Sequence, residues 1–193
     1  MSELIVGLVR HGETDWNVAS KLQGTSDIPL NELGIKQAVT ASRNIVAHEW
    51  DLVLSSPLSR ARDTARIIAD GNALGEVQVT PLLLERAFGD AEGLNYHEWK
   101  KSHDSGAQVT GLETLEELEV RARGLLDWLA AEYAGKRVLA VSHGAFIRKL
   151  VRVVSQRTLP LDGDRFANAS LTKLAHRNGS WSVEYYNPVS LGS

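Results

Sequence analysis

Residues 4–12 read LIVGLVRHG, an almost unbroken apolar run that ends in an arginine, a histidine and a glycine. A short continuous apolar run is typical of a strand that is covered on both faces of a sheet. Residues 138–144 (VLAVSHG) repeat the arrangement. Taken alone, each His-Gly pair fits a turn beside a surface histidine. Because ligands gather beyond the carboxyl ends of parallel strands, the two runs together predict that His11 and His143 share one crevice.

The rest of the chain alternates apolar, β-rich runs with segments of helical period, which predicts an α/β fold. Strands are expected at residues 4–9, 52–54, 77–80 and 138–141. Helices are expected after the cap residue Asn31, after the cap and proline of residues 55–57, at 115–133 and at 145–154. The segment 81–111 is polar and glycine-rich and is predicted to be irregular, whereas Asn178 and Gly179 predict a hairpin turn.

Composition restricts the classes of protein that fit this chain. The 193 residues are 43% hydrophobic and 23% charged, which excludes intrinsic disorder and predicts one domain over residues 1–193. A net charge of −3 gives no indication of nucleic acid or an anionic membrane as a partner. The chain contains no cysteine, which excludes disulfides and zinc–thiolate sites. No apolar stretch reaches the length of a membrane span, and a cytoplasmic protein is expected.

Two arginines indicate that the crevice binds an anion. Arg10 precedes His11, and Arg60 falls in the first turn of the helix after the second strand, at the same edge of the sheet. A guanidinium group matches phosphate oxygens bidentately, and helix N-termini add positive potential at that edge. The six histidines form no cluster with metal-ligand spacing, so no metal site is predicted.

Five short blocks of sequence follow one another through nearly the whole chain. They are residues 10–17 (RHGETDWN), 22–34 (LQGTSDIPLNELG), 55–65 (SSPLSRARDTA), 84–93 (LERAFGDAEG) and 141–144 (VSHG). Together they resemble the signature of the histidine phosphatase superfamily, in its phosphoglycerate-mutase-like branch. The resemblance implies a three-layer sandwich in which helices flank a mostly parallel central sheet. It also implies a metal-independent enzyme that uses no cofactor.

The resemblance further implies a role for each matching residue. His11 receives the phosphoryl group of a phosphomonoester, and Glu85 protonates the oxygen that leaves. The nonbridging phosphoryl oxygens are held by Arg10, Arg60 and His143. Further contacts around the phosphate come from Asn17, Gln23, Gly24 and Gly144.

The length of one segment bears on the type of reaction. The bisphosphoglycerate-dependent mutases that the chain resembles carry a longer insertion and a tail that shield phosphohistidine from water, whereas here only a short lid, about residues 86–111, occupies the insertion region. Phosphohistidine that water reaches is hydrolysed, so we expect a phosphatase that acts on a small phosphorylated metabolite. A 2,3-bisphosphoglycerate-dependent phosphoglycerate mutase is the alternative. A non-catalytic phosphate-binding or scaffold protein is a second alternative, which the presence of both His11 and Glu85 disfavours.

The sequence leaves three points open. The lid contains His97, Lys100, Lys101 and His103, and their roles are not defined by the sequence. The identity of the phosphorylated substrate is not defined either. A homodimer is an option that no particular residue supports.

Overall fold

Strand β1 (Leu4–Arg10) lies in the interior of a mixed six-stranded sheet. The computed structural model describes residues 3–106, 108–186 and 188–190. The further strands are β2 (Leu52–Ser55), β3 (Gln78–Val79), β4 (Arg137–Ser142), β5 (Asp164–Arg165), β6 (Leu171–Arg177), β7 (Ser180–Tyr185) and β8 (Val189–Ser190). The order across the sheet is β3-β2-β4-β1-β6-β7, and β5 pairs with β8 in a separate antiparallel ribbon.

The pairing within the sheet is mostly parallel. Strands β1, β2, β3 and β4 pair in the parallel sense, whereas β6 pairs antiparallel with both β1 and β7. The turn between β6 and β7 is the predicted hairpin. Asn178 and Gly179 have positive φ angles of 52° and 80°, as a two-residue primed turn requires. The prediction of an α/β fold with a mostly parallel sheet is confirmed, and the hairpin adds an antiparallel edge.

Helices cover both faces of this sheet. The described ranges contain the α-helices α1 (Asp15–Val18), α2 (Glu32–Asn44), α3 (Ser59–Asn72), α4 (Tyr96–Asp104), α5 (Leu115–Glu132) and α6 (Gly144–Val154). Helices α2 and α3 pack against each other, and so do α5 and α6. Helices α5 and α6 contribute to one apolar core and α3 to another, so the sheet is the middle layer of the predicted three-layer sandwich.

The alternation of side chains along β1 supplies both cores. Val6 and Leu8 are buried with Leu125 of α5 and Leu150 of α6. Val9 points to the opposite face and is buried in the cluster that contains residues of α3. A strand with apolar residues on both faces stays buried only in the interior of a sheet, as the continuous apolar run of β1 predicts.

Helix α3 begins two residues later than its sequence predicts. Pro57 was expected at the first helical position, but α3 starts at Ser59. The backbone N–H of Ser56 instead donates to the carbonyl of Val141 (3.0 Å), which extends the pairing of β2 with β4. The carboxylate of Asp27 accepts from the N–H of Ser59 at 2.7 Å. The predicted start at Pro57 is therefore wrong, because the carboxylate of the distant Asp27, and not the hydroxyl of a neighbouring serine, accepts from the first N–H of the helix.

Helix α4 lies in the segment that the sequence predicts to be irregular, and that prediction is wrong there. The side chain of Asn95 accepts from the N–H of His97 (2.9 Å) and caps the helix. Trp99 is buried against Leu22 and Phe88 in a small third core. The helix has a single buried residue, so its sequence lacks the apolar stripe by which helices are predicted. The predicted strand at 77–80 is reduced to the two residues of β3.

None of the helices in the described part of the chain combines the length and the apolar character that a membrane crossing requires.

Candidate active site

The carboxyl ends of β1 and β4 lie side by side at one edge of the sheet. Arg10 pairs with Ser142 in the parallel register, so His11 and His143 follow in equivalent positions, with ring centroids 5.1 Å apart. A pocket of about 670 Å³ opens at this edge. Eight of the nine predicted site residues line it: Arg10, His11, Asn17, Gln23, Gly24, Arg60, Glu85 and Gly144. The ninth, His143, is completely buried against His11.

The ring of His11 is held in one orientation by the backbone. Nδ1 lies 2.6 Å from the carbonyl oxygen of Gly12, so Nδ1 carries the proton of this hydrogen bond. Burial and the positive charges of Arg60 and Arg10 lower the pKa of His11 well below its usual range. The imidazole is therefore neutral at physiological pH, and the lone pair is on Nε2.

Gly12 lets the chain turn directly after His11. Its N–H donates to Thr64 Oγ1 (3.0 Å), and that hydroxyl donates to the carbonyl of Arg60 (2.7 Å). A Cβ atom on Gly12 would lie 2.4 Å from the carbonyl oxygen of Gly34, a distance that real Cβ atoms do not adopt. The glycine after His11 is therefore required by the close approach of two backbone segments.

Arg60 is completely buried at the start of α3, and its guanidinium group is fixed by three neutral acceptors. Nη1 donates to the carbonyl of Ser26 (2.7 Å), Nη2 to that of Gly24 (2.8 Å) and Nε to Nδ1 of His143 (3.2 Å). Burial lowers the pKa of Arg60 to about 10, so the group stays charged at neutral pH. Because these partners are neutral, the positive potential remains available to an anion in the pocket.

Arg10 has a guanidinium nitrogen that the protein leaves unpaired. Its Nη1 donates to the carbonyl of Phe166 at 2.6 Å. Its Nε is buried and has no hydrogen-bond partner among the described residues. The backbone of Gly144 lies beside this atom, since a Cβ there would be 3.3 Å from Nε. A buried hydrogen-bond donor without a partner lowers the stability of the folded protein. This N–H group is therefore suited to donate to an acceptor atom of a ligand.

Both ring nitrogens of His143 are engaged with protein groups. Nδ1 accepts from Nε of Arg60, so the proton is on Nε2, which lies 2.8 Å from Oγ of Ser56. Burial, with Arg60 as the largest nearby charge, lowers the pKa of His143 well below its usual range. The structure thus places His143 where it orients Arg60, and its predicted contact with phosphoryl oxygens stays a prediction.

Glu85 is held at the pocket by the first turn of α6. Its carboxylate accepts from the N–H groups of Ala145 (3.0 Å), Phe146 (2.9 Å) and Arg86 (2.9 Å). The segment that carries Glu85 is fixed from behind, because Arg121 donates to its backbone carbonyl at 3.1 Å. Glu85 is brought to the same pocket as His11 from a different part of the chain, as predicted.

Asn17 and Gln23 are tied together through Thr14. The backbone N–H of Thr14 donates to Oδ1 of Asn17 (3.1 Å), and the Thr14 hydroxyl donates to Oε1 of Gln23 (3.0 Å). Asn168, which the sequence analysis missed, donates to the carbonyl of His11 at 3.0 Å. Because the side-chain oxygens of Asn17 and Gln23 are engaged, their amide nitrogens are the groups that they can offer a ligand.

Glu92 organises the loop that holds Arg60. Its carboxylate accepts from the N–H groups of Thr25 (2.9 Å) and Ser26 (2.8 Å) and from both of their hydroxyls. Gly24 has a φ of +52°, and a Cβ there would lie 2.0 Å from Oε1 of Glu92. Burial opposes the charge, but the hydrogen bonds from Ser26, Thr25 and Phe88 lower the pKa of Glu92 overall. Glu92 lies in the fourth sequence block, residues 84–93, but its role was not predicted, since it acts on residues far from it in sequence.

The lid residues left open by the sequence fall into two groups. His97 lines the pocket, together with Tyr96 and Phe88. Lys100 pairs with Asp104 at 2.5 Å, and the ring of His103 stacks on Trp99 with centroids 4.9 Å apart. Of the four lid residues whose roles the sequence leaves open, His97 is the one that lines the pocket.

The pocket is electropositive. Its walls carry five cationic side chains, from Arg10, Lys21, Arg60, Arg148 and Arg165, against three carboxylates, from Glu13, Glu85 and Asp164. The sequence analysis missed Lys21, Arg148 and Arg165, because neither a motif nor their spacing connects them to His11. Within the described ranges, no group of three or more histidine, aspartate and glutamate side chains could hold a metal ion. The arrangement favours an anionic ligand bound by guanidinium groups.

The model of the histidine phosphatase superfamily (branch 1) matches residues 6–188 of the chain. The chain belongs to this superfamily. The family that the five sequence blocks predict is thereby confirmed.

The relatives of this histidine phosphatase include proteins named as phosphatases and a probable mutase. It is 40% identical to the uncharacterized phosphatase PhoE of Bacillus subtilis, over 94% of this chain and 93% of that protein. It is 33% identical to the metal-independent phosphoserine phosphatase of Arabidopsis thaliana, over 95% and 81% of the two chains. It is 35% identical to the probable phosphoglycerate mutase GpmB of Yersinia pestis, over 92% and 87%.

Solved structures share the fold of this histidine phosphatase. A mycobacterial glucosyl-3-phosphoglycerate phosphatase superposes with a TM-score of 0.80 at 29% identity, over 96% of this chain and 99% of that one. The similarity to named phosphatases in sequence and structure confirms the interpretation of the chain as an enzyme of this kind.

Proposed function

We propose that this histidine phosphatase hydrolyses phosphomonoesters through a phosphohistidine on Nε2 of His11. The observation that carries the proposal is the neutral imidazole, whose Nδ1–H is bound to Gly12 and whose Nε2 lone pair lies among charged arginines. In the first step Nε2 bonds to phosphorus, and the bond from phosphorus to the ester oxygen breaks. In the second step water attacks the phosphorus, the P–N bond breaks, and inorganic phosphate leaves.

Two arginines neutralise the charge of the transferring group. The buried Arg60 supplies a fixed positive charge, and Nε of Arg10 supplies a donor that has no protein partner in the described ranges. Asn17, Gln23 and the backbone of Gly144 line the same space. Fixed guanidinium groups supply the charge stabilisation that metal ions supply in other phosphoryl-transfer enzymes, which supports a metal-independent reaction.

Glu85 is the proposed proton donor and acceptor. It gives its proton to the leaving ester oxygen in the first step and takes a proton from the attacking water in the second. Its anchoring by the N–H groups of Ala145 and Phe146 keeps the carboxyl group at the pocket. General acid–base catalysis of this kind contributes about 10²–10⁴-fold to a rate.

The short lid favours water as the final acceptor. Residues 86–111 contribute Phe88, Tyr96 and His97 to the lining of the pocket, and this segment is shorter than the insertion that shields phosphohistidine in the mutases that the chain resembles. Similarity to a probable phosphoglycerate mutase keeps mutase activity as the alternative. Formation of 2-phosphoglycerate from 3-phosphoglycerate, with a bisphosphoglycerate primer, distinguishes a mutase from a phosphatase. One domain over residues 1–193, a cytoplasmic location and a homodimer stay predictions.

Trapping of the intermediate tests the mechanism. A ³²P-labelled phosphomonoester, quenched during turnover in the presence of EDTA, is expected to leave acid-labile, alkali-stable label on the wild-type protein. His11→Ala is expected to lose both the label and the turnover, because the nucleophile is absent. His48→Ala is the matched control, since His48 is exposed and lies outside the pocket. Substantial turnover by folded His11→Ala contradicts the covalent mechanism, and full loss of activity in EDTA contradicts metal independence.

A further inference from the structure

One wall of the pocket is a short segment held between two arginines. The carbonyl oxygen of Asp164 accepts from Nη1 of Arg148 (2.7 Å), and that of Phe166 accepts from Nη1 of Arg10 (2.6 Å). Arg165 lies between these two carbonyls, and its exposed side chain lines the pocket. Three guanidinium groups, from β1, β5 and α6, therefore lie along this wall.

Arg148 and Arg165, like Arg43, Arg62 and Arg152, have no salt bridge among the described residues, and of these five they are the two that line the pocket. Acidic side chains form salt bridges with Arg66, Arg123, Arg137, Arg157 and Arg177. Over the same described ranges, neither Arg148 nor Arg165 has a carboxylate within salt-bridge distance. The nearby carboxylate of Asp164 accepts instead from the hydroxyl of Tyr186 (2.6 Å) and the N–H of Leu161 (2.9 Å). The charge of both guanidinium groups is available to a molecule in the pocket.

The three arginines of this wall differ in position and in exposure to solvent, and we assign them different parts of the substrate. Arg10 directly precedes His11 and its Nε atom is buried, and desolvation lowers its pKa, with Arg165 among the charges that contribute. Arg165 is exposed, and Arg148 is half-buried one helical turn beyond Gly144. Arg10 therefore serves the reacting phosphate, while Arg148 and Arg165 meet whatever part of the substrate extends toward the pocket mouth.

We propose that Arg148 and Arg165 bind a second anionic group of the substrate, either a carboxylate or a second phosphate. The proposal rests on the proposed function, because it assigns another part of the same pocket. A guanidinium group forms charge-assisted, bidentate hydrogen bonds with both kinds of anion. A substrate that ends in an alcohol or an apolar group leaves two positive charges without a counterion. The preferred substrates are therefore phosphorylated acids or bisphosphates.

Two matched pairs of compounds test this preference. 3-Phosphoglycerate differs from glycerol 3-phosphate in a carboxylate, and fructose 1,6-bisphosphate differs from fructose 6-phosphate in a second phosphate. We expect kcat/KM to be about tenfold or more higher for the more anionic member of one pair, as a charge-assisted hydrogen bond predicts. The pair that shows the difference identifies the anionic group.

Variants locate the second site. Arg165→Ala is expected to reduce the preference within that pair by about tenfold, and Arg148→Ala by a similar factor. Arg165→Ala is the cleaner variant, because its side chain is exposed, whereas Arg148 also holds the carbonyl of Asp164. Arg152→Ala is the matched control, an exposed arginine one turn further along α6, and is expected to keep the preference.

The outcomes separate the two proposals. Equal kcat/KM within both pairs, or a preference that both arginine variants retain, overturns the second anionic site and leaves phosphomonoester hydrolysis intact. Failure to hydrolyse any of the four compounds contradicts the proposed function instead. In that case, calorimetry measures the Kd of each of the four compounds for the protein. These values test whether a second anion-binding site exists, because binding does not require turnover. Equal Kd values within both pairs overturn it.

Discussion

At the scale of single residues, one hydrogen bond selects the atom that reacts. The carbonyl of Gly12 fixes the proton of His11 on Nδ1 and leaves the lone pair on Nε2, the proposed nucleophile. Burial and two arginines keep the ring neutral. In the proposed mechanism this atom therefore needs no separate base to activate it, and the remaining proton transfer is assigned to a different group, Glu85.

The Glu85→Gln variant tests that division of labour. Its single-turnover rate is expected to fall by about 10²-fold or more with an alkyl phosphate, because the departing alkoxide needs a proton. With para-nitrophenyl phosphate the loss is expected to be far smaller, because para-nitrophenolate leaves as an anion. Rapid-quench measurement of phosphorylation isolates this step from hydrolysis of phosphohistidine. Equal losses with both compounds remove Glu85 from the role of proton donor.

At the scale of elements, the site depends on a loop that has little structure of its own. The carbonyls of Gly24 and Ser26 hold Arg60, and the carboxylate of Glu92 holds the loop. A glutamine at position 92 would place an N–H₂ group against the donors of the loop. Glu92 is thus a positioning residue that acts on the phosphate through Arg60.

Glu92→Gln is expected to weaken binding of oxyanions. The inhibition constant for vanadate is expected to rise by about tenfold, because displaced carbonyls no longer align the guanidinium group of Arg60. Glu98→Gln, in the exposed part of α4, is the matched control and is expected to leave this constant unchanged. Combining Glu92→Gln with Arg60→Ala is expected to add little to the loss from Arg60→Ala alone. An additive double variant contradicts the positioning role.

Elements with strong local signals were predictable, and those stabilised by distant residues were not. The apolar run of β1, the cap at Asn31 and the turn at Asn178 each have their cause within a few residues. The start of α3 depends on Asp27, more than thirty positions earlier. Helix α4 is held by one tryptophan over a third core, so periodicity gives no sign of it.

At the scale of the whole molecule, buried neutral histidines link stability to pH. Burial lowers the pKa of His143 as well as that of His11. In the unfolded chain both rings have ordinary pKa values and bind protons as the pH falls below about 6.5. In the folded chain they stay neutral until their lowered pKa values are reached. The unfolded state then binds more protons, so the free energy of unfolding decreases as the pH falls.

Urea unfolding at different pH values measures this linkage. Below pH of about 6.5 the free energy of unfolding is expected to fall with a slope approaching about 1.4 kcal/mol per pH unit for each histidine. The slope is expected to decrease in a folded His11→Asn variant and to stay unchanged in His48→Ala, whose ring is exposed. A free energy of unfolding that stays constant between pH 7 and 5.5 contradicts a neutral buried pair.

The site was predictable as far as its motifs reach. His11, Arg10, Arg60 and Glu85 lie in blocks whose order and spacing resemble the family, and the structure brings them to one pocket. Arg148 and Arg165 lie in segments without such a block. They lie close to Arg10 because the chain after α6 returns to the pocket. There the backbone carbonyls of Asp164 and Phe166 accept from Arg148 and Arg10. No pattern along the sequence contains that information.

The position of β1 in the sheet has a consequence for synthesis of the protein. Of the described strands β1 is translated first, yet both of its neighbours, β4 and β6, come much later in the chain. A nascent chain therefore exposes this apolar strand and the proposed nucleophile next to it until β6 has been translated. Pairings between such distant segments form late and slowly. Protection by chaperones during translation matters most for this strand, and we expect the enzyme to become active only after β6 has been translated and paired.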